Sequence, residues 1–221
     1  MIDKIKGKLI VSCQALPDEP LHSSFIMSRM AVAAQEGGAV AIRAQSKEDI
    51  LEIEKVCDLP VIGIVKRNYE DSEIYITPTQ KEIDELLETN CEMIALDATN
   101  RVRPHGEKLI DLVNYIHEHQ RLAMADCSTL EECIEAEKLG FDVVSTTLCG
   151  YTPYSKNIDG PNFELLKEVA KSVQVPLIAE GKINTPEELA ACIELGAHAA
   201  VVGGAITRPK QITERFVNAL K

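Results

Sequence analysis

The stretch VPLIAEGKINTPEELAACIELGAHAAVVGGAITRP, from Val175 to Pro209, decides the fold. It reads as a short apolar strand (Pro176 to Ala179) ending on the carboxylate of Glu180, then a capped helix. A second strand follows, ends in Gly203 and Gly204, and leads to Arg208 at the start of another helix. An apolar run without alternation fits a strand covered on both faces, as in a parallel sheet. In a parallel barrel the C-terminal strand ends carry the chemistry, so a carboxylate there calls for an explanation. After paired glycines the backbone can approach an anion closely, and the next helix start adds free N–H groups and the positive end of its dipole. By itself the run through Thr207, Arg208 and Pro209 is equally the opening of an ordinary helix.

Upstream of this stretch the same alternation recurs. Lys8 to Cys13 reads as a strand ending at Gln14, and a helix from about Ser24 to Gln35 is stopped by Gly37 and Gly38. Ala39 to Arg43 is a second strand with the arginine at its exit, and Ser46 caps the next helix with Asp49 in the capping-box position. Leu59 to Val65 delivers Lys66, and the long loop from Arg67 to Thr77 is of the kind that is often functional. Met93 to Leu96 delivers Asp97, Leu122 to Ala125 delivers Asp126, and Asp142 to Thr146 leads into a polar loop. Related Leu-Gly segments at Leu139 to Val143 and Leu195 to Val201 mark a unit repeating about every quarter of the chain. Eight strand-like runs alternating with eight helical ones predict an α/β protein, a single-domain (β/α)8 barrel over residues 1–221.

Composition narrows the partners. A net charge of −12 argues against nucleic acid and anionic membrane, so an anionic ligand needs a local positive pocket. The seven cysteines are scattered without CxxC pairs and read as reduced core residues. The N-terminal MIDKIKGKLIVSC is too short in apolar residues for a signal peptide, and no apolar run reaches the roughly 18 residues of a span, so a cytoplasmic protein is expected. His117 and His119 point to different helix faces, and the five histidines form no metal pattern.

A barrel gathers Gln14, Arg43, Lys66, Asp97, Asp126, Thr146, Glu180 and Gly203 at one mouth. Asp97 and Thr146 read best as solvated strand caps, and Asp126 serves equally as an N-cap of the helix after Ser128 or Thr129. Taken together, a lysine, an arginine and carboxylates on one rim point to use, because unpaired polar groups there cost free energy. A lysine near another cation and partly desolvated has a lowered pKa and can act as a base or form a Schiff base. The residues alone indicate a phosphorylated small molecule and proton transfer beside a carbonyl.

The segments VSCQALPDEPL, AIRAQS, VIGIVKR, ADCST, TTLCGYT and AEGKINTPEE jointly resemble the N-acetylmannosamine-6-phosphate 2-epimerases of bacterial sialic-acid catabolism, over essentially the whole chain. That resemblance implies a cofactor-free barrel interconverting N-acetylmannosamine 6-phosphate and N-acetylglucosamine 6-phosphate. It implies Lys66 as the group exchanging the C2 proton and Glu180 as its catalytic assistant. Gln14, Arg43 and Asp126 match positions that hold the sugar and its N-acetyl group, while Arg208, beside Gly203 and Gly204, matches the phosphate ligand. Cys149 stands where relatives are expected to carry a small polar residue. A homo-oligomer is expected, and one-base and two-base proton transfer both remain open. The competing readings are a Schiff-base aldolase on a sugar phosphate and a sugar-phosphate-binding regulator without turnover; carrying both Lys66 and Glu180 speaks against the regulator.

Overall fold

Eight parallel strands close into a barrel in sequence order in the computed structural model, which describes residues 1–220. The strands are β1 (Leu9–Cys13), β2 (Ala41–Gln45), β3 (Val61–Ile64), β4 (Met93–Asp97), β5 (Leu122–Asp126), β6 (Val143–Ser145), β7 (Leu177–Glu180) and β8 (Ala199–Val202). Closure is made where Ile10 of β1 lies opposite both Ala41 of β2 and Val201 of β8. Around them run α2 (Ser24–Glu36), α3 (Lys47–Glu54), α4 (Gln80–Leu87), α5 (Leu109–Glu118), α6 (Leu130–Lys138), α7 (Phe163–Ser172), α8 (Pro186–Glu194) and α9 (Pro209–Asn218).

Side chains alternate across each strand and divide the core into two layers. Ile10, Ile62, Met93, Met124, Val143, Ile178 and Val201 fill the barrel interior. The residues between them, such as Val11, Ile42, Ile94, Ala125, Val144 and Ala179, pack outward against the helices. Several helices are fixed at the C-terminal strand ends of the barrel by reciprocal caps. Thr129 Oγ1 accepts the Glu132 N–H and Glu132 accepts the Thr129 N–H, an arrangement repeated by Thr185 and Glu188 at α8. The glycines closing α6 and α8, Gly140 and Gly196, both sit at positive φ (90° and 108°), so the quarter-length repeat is a repeated helix stop.

Three expectations are corrected. A short helix before the first strand, α1 (Ile2–Ile5), was not foreseen. It places the fully buried Ile5 in the interior layer, and the Gly7 N–H donates to the His198 carbonyl at 2.7 Å, so α1 stoppers the N-terminal end of the barrel. Four residues are too few for a helical pattern, which is why the sequence reads as eight helices. The second strand begins two residues later than expected, leaving Arg43 in the middle of β2 rather than at its exit. Ser46 caps α3 by accepting the Asp49 N–H, but Asp49 spends its carboxylate on the Ser24 hydroxyl at 2.6 Å, and the reciprocal half of that box is absent.

No helix among the described residues is long and apolar enough to cross a membrane. The last helix, α9, buries none of its residues, and Phe216 and Leu220 are 74% and 89% exposed.

Truncating the stopper should be costly: Ile5→Ala is expected to lower stability by about 2–5 kcal/mol, the usual range for an emptied core site. Urea unfolding reads it, and an unchanged midpoint would mean that α1 lies outside the cooperative core.

Candidate active site

The alternation that fills the barrel continues past the strand ends and decides which polar side chains face inward. Ile62 and Ile64 are followed in phase by Lys66, Ile178 by Glu180, Met124 by Asp126, and Ala199 and Val201 by Gly203. A cavity of about 1090 Å³ opens at the C-terminal strand ends, where Gln14, Arg43, Lys66, Glu180, Gly203, Gly204 and Arg208 all line it. Asp126 is fully buried and acts on the cavity through Arg43.

Arg43 is 1% exposed and reaches across the barrel interior. Its guanidinium grips Asp126 with two bonds, Nη1 to Oδ1 at 3.0 Å and Nη2 to Oδ2 at 2.5 Å, and Nη1 also donates to Glu180 Oε2 at 2.9 Å. A planar fork on a carboxylate is the strongest pairing such a site offers. Burial works against the arginine's charge, but Asp126 and Glu180 more than restore it and leave its pKa above the ordinary value. Ser145 and Thr147 donate to Asp126 Oδ1 at 3.1 and 2.8 Å, and Thr147 also lies 3.1 Å from Glu180 Oε2.

Lys66 and Glu180 leave β3 and β7, which are four strands apart in the ring of eight and so stand on opposite walls. Burial, then Arg43 and Arg208, lowers the Lys66 amine from 10.5 to about 8. Burial also raises the Glu180 carboxyl from 4.5 to about 7, with Asp126 adding to the rise while Arg43, Thr147 and Lys66 oppose it. The pKa values of a base and an acid are thus both brought close to neutrality.

Anion chemistry gathers at the ends of β8 and β1. A Cβ on Gly203 would come within 3.2 Å of Ser12 Cβ, a tight contact, whereas one on Gly204 would meet only the movable end of the Gln211 side chain at 2.9 Å. Among the described residues, the N–H groups of Gly204 and Ala205 donate to no backbone carbonyl. The first turn of α9 starts beside them. Arg208 pairs with Glu19 at 3.2 Å, and Glu19 is itself held by the Leu16 N–H at 2.7 Å. On the neighbouring wall Gln14 donates to Ser12 Oγ at 2.9 Å, and its buried Oε1 has no partner among the described residues. That oxygen can accept an N–H or O–H from a ligand.

Several contributors were not foreseen. Thr147 lies in phase with Val143 and Ser145 and faces the cavity, whereas Thr146, read as the strand exit, is out of phase and clamps the Glu180 backbone. Counting in steps of two from Val143 identifies it. Asp97, expected as a solvated strand cap, is instead fully buried and spent on Thr99 and Arg101 outside the cavity. The long loop after Lys66 folds back as a hairpin, with Lys66 bridged to Ile76, and brings Tyr75 into the wall. Lys182 ties the polar loop after β6 by donating to Asn157 and to the Ile158 carbonyl at 2.8 Å. Cys149 is buried off the cavity with the Asn162 amide on its sulfur at 3.5 Å, and all seven cysteines are free and buried.

Comparison with known proteins is consistent across three lines. The model of the family described as "Putative N-acetylmannosamine-6-phosphate epimerase" matches residues 27–221. A relative from Clostridium perfringens carrying that name as a 2-epimerase is 70% identical over 221 residues, covering all of both chains. One from Clostridioides difficile is 64% identical over 221 residues, with 100% of this chain and 99% of its own covered. The solved N-acetylmannosamine-6-phosphate 2-epimerase of C. perfringens superposes with a TM-score of 0.98 at 69% identity, covering 99% of this chain and 96% of that one. A thiamine phosphate pyrophosphorylase from Pyrococcus furiosus, at 20% identity with TM-score 0.64 and coverage of 96% and 92%, shares the fold alone.

Arg43→Met should cost about 3–5 kcal/mol, because it leaves two carboxyls buried without their cation. Adding Asp126→Asn should recover part of that loss; strict additivity in the double-mutant cycle would show that the two residues are not coupled.

Proposed function

Because the chain belongs to the N-acetylmannosamine-6-phosphate epimerase family, we propose that it interconverts N-acetylmannosamine 6-phosphate and N-acetylglucosamine 6-phosphate by moving one proton at C2. The observation that carries this reading is the pair Lys66 and Glu180, set on opposite walls of one cavity with pKa values brought to about 8 and about 7.

Ring opening exposes the C1 aldehyde, which makes the C2 hydrogen acidic. Neutral Lys66 takes that proton, the C–H electrons form a C1=C2 bond, and the carbonyl electrons settle on O1 as an enolate. Protonated Glu180 then supplies a proton to the opposite face of C2, the carbonyl re-forms, and the configuration is inverted. Stabilising the enolate falls to the buried guanidinium of Arg43 in the cavity wall. The net change is a proton moved from one face to the other, so the scheme needs neither an oxidant nor a Lewis acid.

Arg208 with the Gly203–Gly204 backbone holds the 6-phosphate, and Gln14 Oε1 accepts from the acetamido N–H or a sugar hydroxyl. Asp126 contributes by fixing Arg43. The whole chain, residues 1–221, serves as one catalytic domain in amino-sugar catabolism. Seven free buried cysteines fit a reducing cytoplasm. The homo-oligomer belongs to the same proposal: the bare Phe216 of α9 and Leu220 just beyond the helix suit coverage by a second copy.

Proton NMR in D2O, without added metal or nucleotide, tests the chemistry. The C2 signal of N-acetylmannosamine 6-phosphate should vanish as the gluco epimer appears, and Lys66→Ala should abolish this. Glu180→Gln should still wash deuterium into C2 of the substrate while forming little epimer; inversion retained in this variant would replace the two-base route by Lys66 acting alone. The pH profile of kcat/KM should rise as Lys66 loses its proton and fall as Glu180 loses its own, with its maximum between about 7 and about 8. An activity still climbing at pH 10 would remove Glu180 as the acid. Arg208→Ala should raise KM by about 10- to 100-fold with a smaller effect on kcat, since a charge-assisted bond is worth about 1.5–3 kcal/mol; an unchanged KM would move the phosphate elsewhere.

A further inference from the structure

Four oxygens lie in a chain behind the reacting wall: Ser145 Oγ, Thr147 Oγ1, Asp126 Oδ1 and Glu180 Oε2. Thr147 Oγ1 is 2.6 Å from Ser145 Oγ, 2.8 Å from Asp126 Oδ1 and 3.1 Å from Glu180 Oε2. A hydroxyl carries one hydrogen, so Thr147 can donate to only one carboxylate at a time. Asp126 can spare it, because Arg43 supplies two bonds and Ser145 lies within 3.1 Å of the same oxygen. Glu180 Oε2 has Arg43 as its other donor, while among the described residues none donates a hydrogen bond to Oε1.

We propose that Thr147 is a positioning residue whose single hydroxyl hydrogen follows the charge on Glu180. When Glu180 is ionised, Thr147 donates to its Oε2, and Ser145 donates to Asp126 or to Thr147 itself. When Glu180 is protonated, the Thr147 hydroxyl turns to Asp126 Oδ1, and the carboxyl proton sits on Oε1, the oxygen not engaged by Arg43 or Thr147. One bond rotation answers the change of charge, and no heavy atom needs to move. Removing the hydroxyl therefore disfavours the ionised carboxylate and leaves the neutral acid nearly untouched.

The other charged or titratable groups around Glu180 come from separate elements: Arg43 from β2, Lys66 after β3, Asp126 from β5 and Tyr151 from the loop after β6. None of them changes in a Thr147 substitution, so a shift there reports the hydroxyl. The backbone at this point is held by Thr146, whose hydroxyl bonds the Glu180 carbonyl and N–H at 2.9 and 3.1 Å and is also left intact.

The catalytic consequence rests on Glu180 being the proton carrier proposed above, but the titration itself does not, which keeps the two separable. Protein labelled with 13C at the glutamate carboxyls is titrated by NMR, with Glu180→Gln assigning the resonance. Thr147→Val should raise the Glu180 midpoint by about one pH unit, the worth of one hydrogen bond to a carboxylate, and Thr147→Ser should leave it within a few tenths of the parent. A Thr147→Val midpoint equal to the parent's would overturn the inference, as would a Thr147→Ser variant shifted as far as Thr147→Val. If the midpoint moves as expected and the alkaline limb of kcat/KM moves with it, both readings stand. If the midpoint moves and the limb does not, Thr147 keeps its role and Glu180 loses its place in the rate-governing proton transfer.

Discussion

The bond between Arg43 and Asp126 is the constraint on which the rest of the site depends. A guanidinium in the middle of a barrel strand is expensive to bury, and only a carboxylate meeting it edge to edge makes the position tolerable. Asp126 is delivered by β5 at the height of Ser145, its partner across the sheet, so the pairing is set by strand register rather than by flexible loops. With two of its donors so placed, Arg43 presents a fixed positive edge to Glu180 on one side and a repelling charge to Lys66 on the other. A single buried ion pair thereby adjusts both titrating groups.

Much of this was legible in the sequence because strand chemistry is periodic. Lys66, Glu180 and Gly203 follow apolar runs in phase, and their inward placement needs only the count of two. The same count, applied strictly to Val143, selects Thr147 over Thr146. Reading the last residue of an apolar run as the exit loses that distinction, and it also displaced Arg43 by two residues. A charged residue looks like the end of a strand, yet here it is the strand's buried centre, because its partner comes from 83 positions away. Nothing local announces such a partner. The helix ahead of the first strand was invisible for a different reason: one turn has no period, and its purpose is to close a barrel that exists only once the chain has folded.

Gln14 and Ser12 show how polarity is directed in the neighbouring wall. An amide offers two N–H donors and an acceptor, and the Ser12 oxygen takes one of those N–H groups. The buried Oε1 is the part of Gln14 left open to a ligand N–H or O–H. Ser12 also lies against Gly203 and accepts the Thr207 hydroxyl on its carbonyl, so the amide and the anion corner are braced by the same residue.

Arg208 does not wait with an empty hand. Glu19 already occupies it, anchored by a main-chain N–H so that the carboxylate stays where an arriving anion has to compete. The positive charge of this corner is therefore already partly neutralised from within a chain carrying twelve net negative charges, and an anion meeting Arg208 has to share or displace that carboxylate.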